Sequence, residues 1–337
     1  MTYNTLVFIG RFQPFHKGHQ AVVNRALYLA SEVIIVVGSS LASRNSRNPL
    51  TFTERAEQIK CVYPHKNIKV VPVSDYPYND NKWVGAVQEV VNDNLSNPNN
   101  TIGLIGHKKD SSSYYLNIFP MWGNVPVENQ DGINSTDIRN EVFLEKNEMY
   151  ARENMPLEAY WAFDRQLNSE SKWSTRLTEE AEMVRKYKES WSAAPYAPTF
   201  VTVDAVVVQS GHVLLVKRGA MPGKGLWALP GGFINTNEKL VDAALRELRE
   251  ETKLKVPLPI LKGSIVNKET FDDPYRSQRG RTITTAYLID LGYANILPKV
   301  KGSDDAVQAD WVAFSDIDSE RMYEDHYSIL DYFLNIG

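Results

Sequence analysis

Short apolar runs rich in β-branched residues punctuate the first part of the chain: Thr5–Ile9, Val33–Val37, Ile68–Val73, Ile102–Ile105 and Val125–Val127. Helical patterns lie between several of them, one running from about Gln20 to Ala30. Short buried strands alternating with helices predict a doubly wound parallel sheet. From about Glu141 to Trp191 the pattern becomes helical, with many Glu, Lys and Arg. Pro195 and Pro198 end it, because two prolines this close forbid a continuing helix. Beyond them the pattern changes again. Phe200–Val208 and Val213–Lys217 flank Ser210-Gly211, which reads as a hairpin. A helix over Lys239–Glu251 follows, then strand candidates at Ile265–Phe271, Thr282–Ile289 and Trp311–Phe314. The expected organisation is α/β throughout: a doubly wound, Rossmann-like domain over 1–170, a helical linker over 171–198, and a mixed-sheet domain over 199–337.

Bulk composition adds limits. The chain has 337 residues, long enough for two cores at roughly 100–200 residues per domain. The net charge of −4 argues against a general nucleic-acid binder, which needs a basic surface. Small phosphorylated ligands need only a few local cations. The single cysteine, Cys61, excludes an intrachain disulfide and a Cys-based zinc site. No leader pattern opens the chain and no apolar run approaches about 18 residues. A reduced, cytoplasmic protein with no membrane partner is expected, and a homo-oligomer is compatible with the sequence.

Candidate chemistry sits at two places. Gly10-Arg11-Phe12-Gln13-Pro14-Phe15-His16-Lys17-Gly18-His19 follows the first strand, where a parallel sheet binds ligands. Gly10 and Gly18 allow close backbone approach to phosphate. The next helix aims its N-terminus at the same place. His16 and His19 are spaced to face a triphosphate and stabilise charge on transferring phosphoryl oxygens. The second place is Gly232, Glu238, Arg246, Glu247, Leu248, Glu250 and Glu251. Glu247, Glu250 and Glu251 fall at i, i+3 and i+4 and share a helix face. Carboxylates so crowded repel one another unless a cation sits among them; Mg²⁺, with Mn²⁺ as a substitute, takes oxygen ligands and grips phosphates. The Gly231 carbonyl can add a ligand. Val241, Ala244, Leu245 and Leu248 form the apolar stripe beside these glutamates. Arg246 is expected to orient the carboxylates by salt bridges. Asp304 and Asp305 are candidates for a general base, and a solvated acidic turn explains them equally well.

The first motif resembles the H-x-G-H signature of nucleotidylyltransferases, and its longer form resembles archaeal-type nicotinamide mononucleotide (NMN) adenylyltransferases. Ile133-Asn134-Ser135-Thr136-Asp137-Ile138-Arg139 is similar to that family's I-S-S-T-x-x-R motif, with Asn134 in place of serine. Asn48-Pro49-Leu50-Thr51-Phe52 resembles its N-P-F-T segment. The resemblance implies catalytic roles for His16, His19 and Arg139. It implies ATP and NMN contacts from Gly10, Arg11, Phe12, Gln13, Gly18, Asp80, Trp83, Gly106, Ser135 and Thr136. Trp83 would stack on the nicotinamide cation, although a lone tryptophan is more often core. The second motif matches the Nudix box except that Lys253 replaces the glycine expected after the helix, which predicts an altered helix exit. Gly225–Phe233, Asp273-Pro274 and Arg279-Gly280-Arg281 resemble ADP-ribose-directed Nudix proteins, whose domain is an α/β/α fold. Together the halves resemble bifunctional NMN adenylyltransferase/Nudix hydrolases. The resemblance implies NAD synthesis from ATP and NMN, and Mg²⁺-dependent hydrolysis of ADP-ribose. Two other readings stay open on residues alone: adenylyl or cytidylyl transfer to another metabolite, and a Nudix fold that senses ADP-ribose without cleaving it.

Overall fold

Alternate residues of the first two strands face opposite ways, and each set finds its own core. The structure, a computed structural model, describes residues 3–107, 118–127, 132–169 and 173–336. It divides into two compact units, Met1–Glu182 and Met183–Gly337. The first unit contains β1 (Thr5–Gly10), α1 (Lys17–Leu29), β2 (Glu32–Val37), α2 (Phe52–Val62), β3 (Ile68–Pro72), α3 (Asp80–Asp93), β4 (Ile102–His107) and β5 (Gly123–Val127). Helices α4 (Ser135–Phe143), α5 (Glu148–Asn154) and α6 (Leu157–Leu167) follow, and the division between units falls inside α7 (Trp173–Glu189). The sheet order is β3-β2-β1-β4-β5, parallel at every pairing. Leu6, Phe8, Val33 and Ile35 join one core with Val22, Val23 and Ile59. Val7, Ile9, Ile34 and Val36 join another with Val87, Val91 and Leu104. Coverage of both faces explains why these strands read as continuous apolar runs. The chain runs outward from β1 through β2 to β3 and then returns to build β4 and β5 on the other side. The carboxyl ends of β1 and β4 therefore flank a topological switch point, the place where such sheets bind ligands.

The second unit contains β6 (Phe200–Gln209), β7 (His212–Arg218), β8 (Trp227–Ala228), β9 (Gly231–Phe233), α8 (Leu240–Thr252) and α9 (Leu258–Gly263). After these come β10 (Ile265–Phe271), β11 (Thr282–Asp290), β12 (Ala306–Ala313) and α10 (His326–Leu334). The path β10-β11-β6-β7-β12 is mixed, with β6 and β11 parallel; β8 pairs with β7, and β9 with β6. The β6–β7 hairpin turns on Ser210 (φ 48°) and Gly211 (φ 74°), the two positive dihedrals of a type I′ turn. Helix α8 lays Ala244, Leu245 and Leu248 against Val203, Ala205 and Val207 of β6. Ala243 is fully buried with them, whereas Val241 is only half-buried.

Two expectations need correction, and two short strands had no counterpart among them. The last strand starts at Ala306, and Phe314 already lies in a 3₁₀ turn. The short strands β8 and β9 carry too few residues to show a period. Lys253 does not alter the helix exit: at φ 51° it takes the left-handed conformation a glycine would take, and its N–H donates to Arg249 O at 3.1 Å. No helix among the described residues is long and apolar enough to cross a membrane.

Candidate active sites

In the first unit, α1 begins on an unusual cap. His16 is its N-cap, and its Nδ1 accepts from Gly18 N at 3.1 Å; His19 Nδ1 accepts in return from His16 N at 3.3 Å. The imidazoles stack, with centroids 3.7 Å apart. A neutral imidazole that accepts at Nδ1 carries its proton at Nε2. Both rings thus present an Nε2–H donor, suited to developing negative charge. Phe12 and Phe15 brace His19, at centroid distances of 4.8 and 5.7 Å. The glycines have a local reason. A Cβ on Gly18 would meet the His16 ring at 3.0 Å, and one on Gly10 would meet the Phe12 ring at 2.8 Å. Side chains of the motif itself, not a phosphate, fill those two spaces. Phe12 is a core residue here, 1% exposed, with its backbone at φ 52°.

The loop is fastened to the segment around α2. Gln13 exchanges two hydrogen bonds with the Leu50 backbone, both at 2.9 Å, and Phe15 N donates to Gln58 Oε1 at 3.1 Å. Arg55, fully buried, donates to Arg11 O at 2.8 Å, Gly38 O at 2.6 Å, Ser39 O at 3.0 Å and Thr51 O at 3.1 Å. It ties the ends of β1 and β2 to the N-cap of α2. Burial pulls its pKa down to about 10.

Helix α4 delivers the second motif. Asn134 is its N-cap, accepting from Asp137 N at 2.9 Å, so the departure from serine keeps a good capping residue. Ser135 Oγ donates to Pro14 O at 3.1 Å, and Arg139 donates to Gln13 O at 2.7 Å and Thr136 Oγ1 at 3.2 Å. Burial, then the charges of Arg11 and Arg47, lower the Arg139 pKa to about 9. The charges of Arg11 and Arg47 reach Arg139, an arrangement suited to an anionic ligand. Asp80 opens α3, and Trp83, one turn on and half-buried, packs 5.9 Å from the Phe119 ring. Gly106 is the penultimate residue of β4 and pairs with Pro126. Lys108, Lys109 and Asp110, which follow in the chain, lie outside the described residues.

In the second unit, Arg246 is the hub. It donates to Glu238 at 2.6 and 3.0 Å, to Glu247 at 2.8 Å and to Glu250 at 2.9 Å. These bonds hold the Glu238 pKa at about 2. Glu251 faces inward, 8% exposed, and accepts from Gly231 N at 3.0 Å. Burial, followed by the nearby Glu247 charge, raises its pKa to about 8, and burial raises that of Glu247 too. Gly231 and Gly232 have no room for a Cβ: one would stand 2.2 Å from Val203 O, the other 2.7 Å from Glu247 Oε1. Among the described residues no three acidic or imidazole side chains form a ready-made metal cage. The donor chemistry nevertheless fits a hard divalent cation. Glu247, Glu250 and Glu251 are all oxygen donors, and a cation would offset the burial and the mutual repulsion that raise Glu247 and Glu251. Asp305 lines the same cavity as Glu251, and the Asp304 charge contributes to raising Glu247.

Known proteins share this arrangement. The cytidylyltransferase-like family model matches residues 7–141 and the NUDIX domain model matches residues 198–333. A crystal structure of a bifunctional NMN adenylyltransferase/ADP ribose pyrophosphatase from Francisella tularensis, complexed with AMP and manganese ion, is 36% identical. It matches with a TM-score of 0.92, over 99% of this chain and 100% of that one. The chain belongs to the bifunctional NMN adenylyltransferase/ADP-ribose pyrophosphatase family. Proteins named for one of the two activities match each half separately. The nicotinamide/nicotinic acid mononucleotide adenylyltransferase of Acinetobacter baylyi is 41% identical over 41% of this chain and 74% of its own. An ADP-ribose pyrophosphatase of Methanocaldococcus jannaschii is 31% identical over 39% of this chain and 75% of its own.

Family motifs alone do not reveal several residues of these sites. Asp204, Arg218, Arg276, Glu324 and His326 line the cavity beside Glu251. Asp204 was findable: a lone carboxylate inside the apolar run of β6 is costly unless something pairs it. It accepts from Thr284 Oγ1 at 2.5 Å, and His326 Nε2 lies 4.0 Å away. His326 Nδ1 accepts from Leu229 N at 2.9 Å and so holds the loop that leads into Gly231. Arg55 had no such signal, since an arginine on an amphipathic helix reads as surface.

Proposed function

We propose that the chain catalyses two reactions of NAD metabolism. In the first, a 5′-phosphate oxygen of NMN bonds to the α-phosphorus of ATP while the bond to the bridging oxygen of the β-phosphate breaks, giving NAD and pyrophosphate. The observation that carries this reading is the stacked His16–His19 pair at the switch point. Its two Nε2–H donors and the Arg139 cluster offset the charge that builds on the α-phosphate and the departing pyrophosphate. Arg55 and Gln13 hold the loop so that these donors need no reorganisation.

In the second reaction, water and ADP-ribose give AMP and ribose 5-phosphate. Its support is the set of glutamates organised by Arg246 around inward-facing Glu251. Glu247, Glu250 and Glu251 would hold Mg²⁺, or Mn²⁺ in its place, which when bound polarises the pyrophosphate and makes water more acidic. Of the two candidate bases, Asp304 and Asp305, the position of Asp305 on the cavity wall supports it as the group that takes the water proton. Retention of all three glutamates favours cleavage over sensing. A cytoplasmic setting suits a chain with one unpaired cysteine.

A substrate panel on the full chain tests both. ATP should be turned over with NMN or nicotinate mononucleotide but not with phosphopantetheine, and ADP-ribose should be cleaved only with Mg²⁺ or Mn²⁺. Failure with both pyridine mononucleotides overturns the first reading; metal-independent cleavage overturns the second.

A further inference from the structure

Two residues that line the cavity beside Glu251 carry a polar atom that no protein group pairs. Among the described residues, the Arg279 Nε–H and the Tyr323 hydroxyl are buried without a hydrogen-bond partner, and both residues line this cavity. Orphaned polar atoms are costly and rare in native proteins, so two on one cavity wall call for a ligand that pairs them. Tyr323 is 3% exposed and its ring is closely packed. Gly223, left-handed at φ 74°, leaves room for that ring, since a Cβ there would come within 2.3 Å of it. The Arg218 guanidinium lies 4.1 Å from the ring centre and the His326 ring 5.4 Å away. The Tyr323 backbone N–H donates to Trp227 O at 2.7 Å. The hydroxyl is therefore fixed in place. Burial, the Glu324 charge and the loose approach of that carboxylate push its pKa up, yet no group stands in hydrogen-bonding geometry to the hydroxyl. Arg279 is similarly set, its guanidinium 4.9 Å from the Phe233 ring centre. Arg276, on the same wall, contrasts with both: Asp325 accepts from it twice, at 2.9 and 3.0 Å.

Resting on the ADP-ribose reading above, the geometry points to a ribosyl-phosphate subsite in which the Tyr323 hydroxyl and the Arg279 Nε–H bind one 5′-phosphorylated ribose of the substrate. A hydroxyl can donate to a phosphate oxygen or accept from a sugar hydroxyl, and a guanidinium N–H prefers an anionic oxygen. An apolar ligand would leave both orphans in place. The two halves of ADP-ribose each contain this chemistry, and the products AMP and ribose 5-phosphate separate them.

The test uses the full chain with Mg²⁺. Tyr323→Phe removes one oxygen and keeps the ring. Its melting temperature should be unchanged or higher, because an unpaired group is gone. Its KM for ADP-ribose should rise about tenfold, the effect of one lost hydrogen bond, while kcat changes little. Competitive inhibition by either AMP or ribose 5-phosphate should weaken by a similar factor, which identifies the bound half. Arg279→Lys keeps the charge, loses the Nε–H, and should weaken the same product. A lower melting temperature for Tyr323→Phe, or wild-type KM and product inhibition in both variants, overturns the subsite. Should the wild type leave ADP-ribose uncleaved, the hydrolase reading falls by itself. Calorimetric titration of wild type and Tyr323→Phe with each product then decides the subsite: weaker binding by the variant supports it, equal binding rejects it.

Discussion

The backbone N–H of Gly231 donates to the Glu251 carboxylate across 3.0 Å, joining the glycine loop to the last turn of the glutamate helix. A glutamine at 251 can still accept that bond but cannot carry the charge. Glu251→Gln should therefore lower Mg²⁺-dependent ADP-ribose hydrolysis by more than about 100-fold and leave NAD formation unchanged. Assays of AMP release and of NAD formation on one preparation would check both halves; normal hydrolysis would remove Glu251 from the metal set.

Lys253 holds a left-handed conformation that a side chain adopts at a cost. Lys253→Gly should stabilise the second unit by about 1 kcal/mol, visible as a higher denaturant midpoint. Hydrolysis should be unaffected, because the helix exit is already the one glycine would make.

Arg55 reaches four backbone carbonyls with one guanidinium. A lysine keeps the charge but cannot span them. Arg55→Lys should reduce kcat for NAD formation by at least about tenfold through misplacement of the histidine loop, with ADP-ribose hydrolysis intact. Equal loss of both activities would instead indicate general unfolding.

Glu32 tests acid sensitivity. Burial alone would raise its pKa, but hydrogen bonds from Lys69, Ser96 and Thr5 outweigh that and hold it at about 2. A carboxyl whose folded pKa is depressed adds stability that is full above its unfolded value near 4.5 and is lost as pH falls towards 2. The contribution is at most about 3 kcal/mol. Acid-unfolding curves of wild type and Glu32→Gln should therefore differ in stability at pH 6 and converge near pH 2. A constant gap across that range would contradict the assignment.

Much of this molecule was legible in advance. The apolar runs became β1 to β4 within a residue or two, because a strand buried on both faces writes itself as an unbroken run. The hairpin at Ser210-Gly211 and helix α8 were equally plain, the one through turn chemistry and the other through its period. Arg246 meets Glu250 because helical spacing sets residues four apart on one face, while its contacts to Glu247 and Glu238 depend on where the guanidinium turns. Lys253 was misjudged in its effect, since residue identity alone did not reveal that the surrounding fold imposes the left-handed turn.

What the sequence determined by itself was local: strand and helix periods, caps, and motif spacings that place chemical groups on one face. Tertiary structure decided which partners those groups meet. Phe12 and His16 fill the spaces over Gly10 and Gly18, Arg55 gathers carbonyls from three segments, and His326 holds Leu229, 97 positions away in the chain. The placement of Arg279 and Tyr323 on one cavity wall is of the same kind. The physical reason is the range of the forces. Backbone conformation is set by a residue and its near neighbours, whereas burial and hydrogen bonding act between whatever the fold packs together, and no local pattern records that.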